Sequence, residues 1–113
     1  MNNGAQAERW AAQYLRKQGL KPVAENYRSR FGEIDLIMQD GAELVFVEVR
    51  LRRNADFGGA AASIDTRKQQ RLIRTAQQYL ARLAHIPPCR FDAVLMDDAQ
   101  GVNAQWLKNA FES

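Results

Sequence analysis

One cysteine, one histidine and three prolines in 113 residues set the first limits on this chain. Cys89 has no partner for an internal disulfide, and neither Cys89 nor His85 belongs to a cluster of the sulfur and nitrogen donors that zinc prefers. No apolar run approaches the roughly 20 residues a membrane helix needs, and no segment reads as a signal peptide. The expectation is therefore a cytoplasmic protein without a membrane partner. Internal repeats and low-complexity stretches are also missing.

What is present suits one compact domain spanning residues 1–113, since 46% of the residues are hydrophobic and 26% charged. Sixteen Lys and Arg against 13 Asp and Glu give a net charge of only +3. Its distribution says more than its size. Arg28, Arg30, Arg50, Arg52 and Arg53 flank an acidic stretch, and Arg67, Lys68, Arg71 and Arg74 follow it. Positive charge around a small acidic cluster is what a polyanion-binding site with a metal centre requires, and a solvated basic surface is the plainer account.

The acidic stretch carries the chemistry. Phe31 to Ile37 and Leu44 to Arg50 read as two apolar strands holding Glu33, Asp35, Glu48 and Arg50, with a hairpin signal at Asp40-Gly41 between them. An even loop puts Glu33 and Asp35 on one face with Phe46, Glu48 and Arg50. It also collects Ile34, Leu36, Met38, Val45, Val47, Val49 and Leu51 into one apolar face. Burial of that face selects the even loop. Acids in apolar strands are costly unless something positive lies between them. A divalent metal against a phosphate is one answer, and cross-strand ion pairs of Asp35 and Glu48 with Arg50 or Arg28 are another.

Around the hairpin, residues from about Gly4 to Gln18 read as an amphipathic helix with Gly19 as its stop. Glu8 lies beside its apolar stripe. Val23 to Arg30 reads as an irregular strand, and Arg52 to Ala62 as a loop that could contact substrate, with Gly58 and Gly59 in it. Ser63 or Asp65 caps a helix running to about Ala84, with Leu72, Ile73, Ala76, Tyr79, Leu80 and Leu83 as its stripe. Arg90 to Met96 reads as a strand, followed by one around Val102 to Trp106 and a short helical piece containing Ala110 and Phe111. Asp92 reads as structural, and Trp10, Tyr14, Tyr79, Trp106 and Phe111 as packing residues. The order helix, three strands, helix, two strands gives an α/β fold with a central mixed sheet flanked by helices.

That order, with Asp35, Glu48 and Arg50 on adjacent strands, resembles the PD-(D/E)XK nuclease superfamily and its restriction-endonuclease-like core. Gly32 to Ile37, Val45 to Arg50, Phe57-Gly58-Gly59, Lys68, Arg71 and Arg90-Phe91-Asp92 look more closely like the bacterial YraN-like family, usually placed beside Holliday junction resolvases. The resemblance implies Asp35 and Glu48 as metal-binding acids and Glu8 as the additional glutamate of resolvase-like members. It also implies a homodimer. Two positions depart from the pattern. Ile34 replaces a proline without chemical consequence, but Arg50 replaces the catalytic lysine. Arginine stabilises developing charge yet carries no proton near neutrality. Lys68 is the candidate for the missing ammonium.

On this reading Glu8, Asp35 and Glu48 hold Mg²⁺ or Mn²⁺, which oxygen ligands favour over zinc. Glu33 lies beside the metal or holds an arginine. Arg50 and Lys68 face the phosphate, while Arg28, Arg30, Arg52, Arg53, Arg67 and Arg71 track the nucleic-acid backbone. The expected function is metal-dependent endonucleolytic hydrolysis of branched or structured DNA. A nucleic-acid binder with little or no catalysis is the alternative, and an adaptor for an acidic protein partner a third.

Overall fold

The computed structural model describes residues 3–52 and 64–112. The loop expected to contact substrate, with Phe57, Gly58 and Gly59, and also Arg53 and Ser63, lie outside the described residues. Helix α1 (Asn3–Lys17) is followed by strands β1 (Lys21–Ser29), β2 (Gly32–Asp40) and β3 (Glu43–Leu51). Helix α2 (Thr66–Leu80) then leads to β4 (Cys89–Met96) and β5 (Gln105–Phe111). The strands form one sheet in the order β1-β2-β3-β4-β5. Only the β3–β4 pair, joined through α2, is parallel; the other three are antiparallel. The fold is α/β with a mixed sheet.

Alternation along the strands divides the core into two layers. Leu36, Met38, Val45, Val47, Val94 and Met96 meet Ala7, Ala11 and Leu15 of α1. Ile37, Leu44, Phe46, Phe91 and Ala93 meet Leu72 and Ala76 of α2. The helices thus cover opposite faces. Gly19, at φ +102, ends α1 in a conformation that suits glycine. The Leu20 amide then returns to the Leu15 carbonyl at 3.1 Å. Trp10 stacks on Tyr14 at 5.1 Å. Its indole rests against Gly101, at φ +85, where a Cβ would overlap the ring.

The even loop is present. Asp40 pairs with Glu43 around Gly41 and Ala42, and the pairs Met38↔Val45, Ile37↔Phe46 and Leu36↔Val47 follow. Ile34 departs from the expected face: it packs with Leu72 on the α2 side, whereas Leu36 faces α1. The cause lies on the neighbouring strand. Asn26, with φ +50, sits between the pairs Glu25↔Leu36 and Tyr27↔Ile34 and interrupts the pleat.

The end of α2 and the C-terminal segment also differ. Helix α2 stops at Leu80 rather than about Ala84, with Ala81 as its C-cap. Asp65 is the N-cap and accepts the Lys68 amide at 2.8 Å. Ala110 and Phe111 belong to β5 and not to a helix. Asn109, at φ +52, reorients the strand before its end, and Phe111 stacks on Phe91 at 4.7 Å.

One polar network lies inside the sheet. Arg90, on β4, donates to Asp40 and Glu43 at the two ends of the hairpin turn, at 2.8 and 2.7 Å. It also donates to Asp92 at 3.0 Å. Asp92 is wholly buried and accepts further from the Trp106 indole at 2.9 Å and the Asn109 amide at 3.1 Å. Asp92 is structural, and Trp106 combines packing with a hydrogen bond.

Candidate metal centre

Beyond the Leu36↔Val47 pair, the Asp35 carboxylate, rather than a carbonyl of β2, accepts the Val49 amide of β3, at 2.8 Å. A side chain that substitutes for a backbone acceptor is fixed in place, since a buried amide must find a partner. The carboxyl groups of Glu48 and Glu8 face Asp35. Glu8 comes from α1, with the Asn26 side chain beside it lowering its pKa against the larger effect of burial. One carboxylate oxygen each from Glu8, Glu33 and Asp35 fall within 4.8 Å of one another.

Asp35 responds to this company. Burial first, then the Glu48 charge, push its pKa from 3.8 up to about 8, despite the opposing Val49 hydrogen bond. Glu8 is raised as well, by burial and by Glu33 and Glu48. Glu33 is also held from outside, since Arg28 donates to it at 2.6 Å while remaining 79% exposed itself.

Glu48 is only 4% exposed and has a different partner. Lys68 reaches down from α2 and places its Nζ 2.8 Å from Glu48 Oε2; Arg50 lies farther from the same oxygen, at 3.7 Å. The Asp65 cap supports this reach by fixing the Lys68 backbone. Lys68 and Arg71 line a cavity of about 270 Å³ with Phe31, Gly32, Glu33, Asp35 and Leu72. The site therefore opens between α2 and the divergent ends of β2 and β3.

The structure brings together Glu8, Glu33, Asp35, Glu48, Arg50 and Lys68, with Arg71 at the cavity. Arg67 is exposed on the first turn of α2 and Arg30 is exposed in the β1–β2 turn. Arg52 is occupied elsewhere. Its guanidinium bonds Asp97 at 3.0 Å, Gln105 at 3.3 Å and the Asn103 carbonyl, tying the end of β3 to the β4–β5 connection. Asn26 was missed by the sequence reading. Its signal was an asparagine, a poor strand former that tolerates left-handed backbone, inside an otherwise acceptable strand.

The donor set suits a hard divalent cation, because it consists of carboxylate oxygens and the pKa of Asp35 is raised by burial and like charge, which a cation would reverse. His85 is exposed, and Cys89 donates to the Pro87 carbonyl at 3.1 Å.

The comparisons with known proteins agree with one another. The model of the family described as "Uncharacterised protein family UPF0102" matches residues 7–96. This chain belongs to the UPF0102 family. It is 53% identical over 110 residues to a UPF0102 protein of Methylobacillus flagellatus, covering 97% of this chain and 96% of the relative. A UPF0102 protein of Nitrosospira multiformis is 52% identical over 109 residues, covering 96% and 92%. One from Janthinobacterium sp. is 54% identical over 110 residues, covering 97% and 87%. The matched segment runs from the residue before Glu8 to the end of β4, and so includes every acid of the site. Among the described residues, no helix is long and apolar enough to cross a membrane.

Proposed function

We propose that this UPF0102 protein is a metal-dependent endonuclease that hydrolyses phosphodiester bonds in branched or otherwise structured DNA on a restriction-endonuclease-like core. The observation that carries the reading is the Asp35 carboxylate, fixed between two diverging strands and facing other acids, with the Lys68 ammonium beside it on Glu48. An ion-pair cluster would instead place a cationic side chain against Asp35.

Glu8, Asp35 and Glu48 would hold Mg²⁺ or Mn²⁺, with Glu33 completing the acidic wall. Bound there, the ion would polarise the scissile phosphate and acidify the attacking water. Lys68 stabilises the charge that gathers on the phosphoryl oxygens, and Arg50 contributes to the same end without moving a proton. Arg71 positions the phosphate at the mouth of the cavity. The flanking backbone lies along Arg28, Arg30 and Arg67. Water gives up a proton to solvent as it adds to phosphorus, the bond to the leaving oxygen breaks, and that oxygen takes up a proton from solvent or from Lys68, which solvent then reprotonates. A two-fold dimer matching a two-fold junction belongs to the same proposal.

The test is incubation of purified protein with four-way junction, flap and single-stranded DNA in Mg²⁺ or Mn²⁺. Cleavage that disappears in Asp35→Ala and Glu48→Ala is expected. Its absence in the parent protein, or its persistence in both variants, would falsify the reading.

A second reading has its own observation. Lys68 already neutralises Glu48 at 2.8 Å, and Arg50 replaces the usual lysine, which suits a nucleic-acid binder with little catalysis. Binding that survives EDTA and falls steeply with salt, without cleavage, would favour it.

A further inference from the structure

Two cavities share the Phe31 ring. One is the acid-lined cavity of the candidate metal centre; the other, about 390 Å³, is lined by Arg30, Phe31, Arg74, Gln77 and Gln78. Phe31 carries two guanidinium groups, Arg30 at 5.0 Å and Arg74 at 5.7 Å from its centroid. Arg30 comes from the β1–β2 turn and Arg74 from α2, and both are exposed. Among the described residues, no carboxylate forms an ion pair with either. Two like charges gathered on one ring without a counter-charge repel each other, and an anion between them removes that cost.

The ring is held for such a ligand. The Phe31 amide donates to Ser29 Oγ at 3.0 Å, and Ser29 Oγ lies 3.1 Å from Thr75 Oγ1. Thr75 is fully buried in α2 and donates to the Arg71 carbonyl at 2.8 Å. The turn that presents Phe31 is thereby seated on the helix that presents Arg71 and Arg74. Gln77 and Gln78 add amide donors and acceptors along the same wall.

We propose that Phe31, Arg30 and Arg74 form a subsite for one unpaired nucleotide beside the acid cluster, its base displacing a guanidinium from the Phe31 ring and its phosphate drawing the freed guanidinium with the other. This rests on the nuclease reading and names the substrate class: a strand whose base is exposed next to the scissile phosphate, as at a branch point, flap or single strand. A base within continuous duplex is stacked on both faces and cannot reach the ring. Aromatic stacking on a base tolerates any sequence, so the subsite selects structure rather than sequence.

The test is fluorescence anisotropy with labelled oligothymidylate and a blunt duplex of equal length, at low salt in EDTA. Tighter binding of the single strand is expected. Phe31→Leu, which keeps the bulk and removes the π face, should weaken that binding about tenfold and leave duplex binding nearly unchanged. Arg74→Gln should lower the salt slope by about one phosphate contact. Melting curves establish that both variants fold, and if Phe31→Leu does not, Phe31→Tyr serves with parent-like binding expected. Duplex preference in the parent, equal losses on both DNAs, or unaltered binding by Phe31→Leu would overturn the subsite. Because EDTA removes hydrolysis, a failed subsite leaves metal-dependent cleavage standing, and absent cleavage leaves the binding result standing.

Discussion

Asp92 and Asp35 are both strand aspartates in one sheet, yet their carboxylates keep different company. Asp92 meets only donors: the Arg90 guanidinium, the Trp106 indole and the Asn109 amide. Burial alone would lower the pKa of Arg90, but its hydrogen bonds to Asp92, Asp40 and Glu43 more than reverse this and raise it. Asp35 has one donor in the Val49 amide and otherwise faces Glu48 and Glu8. An acid surrounded by donors belongs to the scaffold. One surrounded by acids gains from a cation, and among the described residues no side chain forms an ion pair with Asp35.

The largest effect that would break this contrast is on stability. Asp92→Ala should cost about 3–5 kcal/mol, by leaving a buried guanidinium short of a partner, or on the order of 15–20 °C in Tm for a domain near 100 residues. Thermal melts read this directly, and a loss below a few degrees would mean that Asp92 is no scaffold residue. Lys68→Met is next, with cleavage expected to fall about a hundredfold. If Lys68 serves only to neutralise Glu48, single-turnover rates stay at the parental level while Tm falls.

Asp35→Asn should move stability in the opposite direction from Asp92→Ala. Folding retains a proton on Asp35 that the unfolded chain releases, because the pKa rises from 3.8 to about 8. This site's contribution is complete below pH 4 and is lost as pH rises through about 8. In EDTA the variant should therefore melt about 5 °C or more above the parent at pH 8, with a smaller gain at pH 6, and Mn²⁺ should no longer raise its Tm. A lower Tm at both pH values would show that the acids are not in conflict. The smallest effect belongs to Arg28→Ala. Its exposed pair with Glu33 contributes less than about 1 kcal/mol, so melting should hardly change.

Much of this contrast is legible in the sequence because burial leaves a regular trace. Leu36, Met38, Val45 and Val47 alternate strictly, and that alternation picks the two-residue loop that brings Asp35 level with Glu48. The helix stripe around Leu72 and Ala76 is equally plain. Single backbone exceptions are not. Asn26 and Asn109 each adopt positive φ within a strand, so Ile34 changes face and the end of β5 passes for a helix. Whether Lys68 reaches Glu48 depends on how α2 crosses the sheet, which residue spacing along the chain does not encode. The partners of Arg52 are hidden for the same reason, being 45 or more residues away.

Gly101 lies between β4 and β5, far along the chain from any acid of the site, but it is where the Trp10 indole comes to rest. Trp10 is two residues beyond Glu8 on the same rigid helix. A methyl group at 101 would overlap that indole and meet a backbone at φ +85 that side chains rarely adopt, so either the turn or the indole must give way. The β4–β5 turn and the acid cluster thus share one support, the helix whose Trp10 seats the turn and whose Glu8 joins the acids.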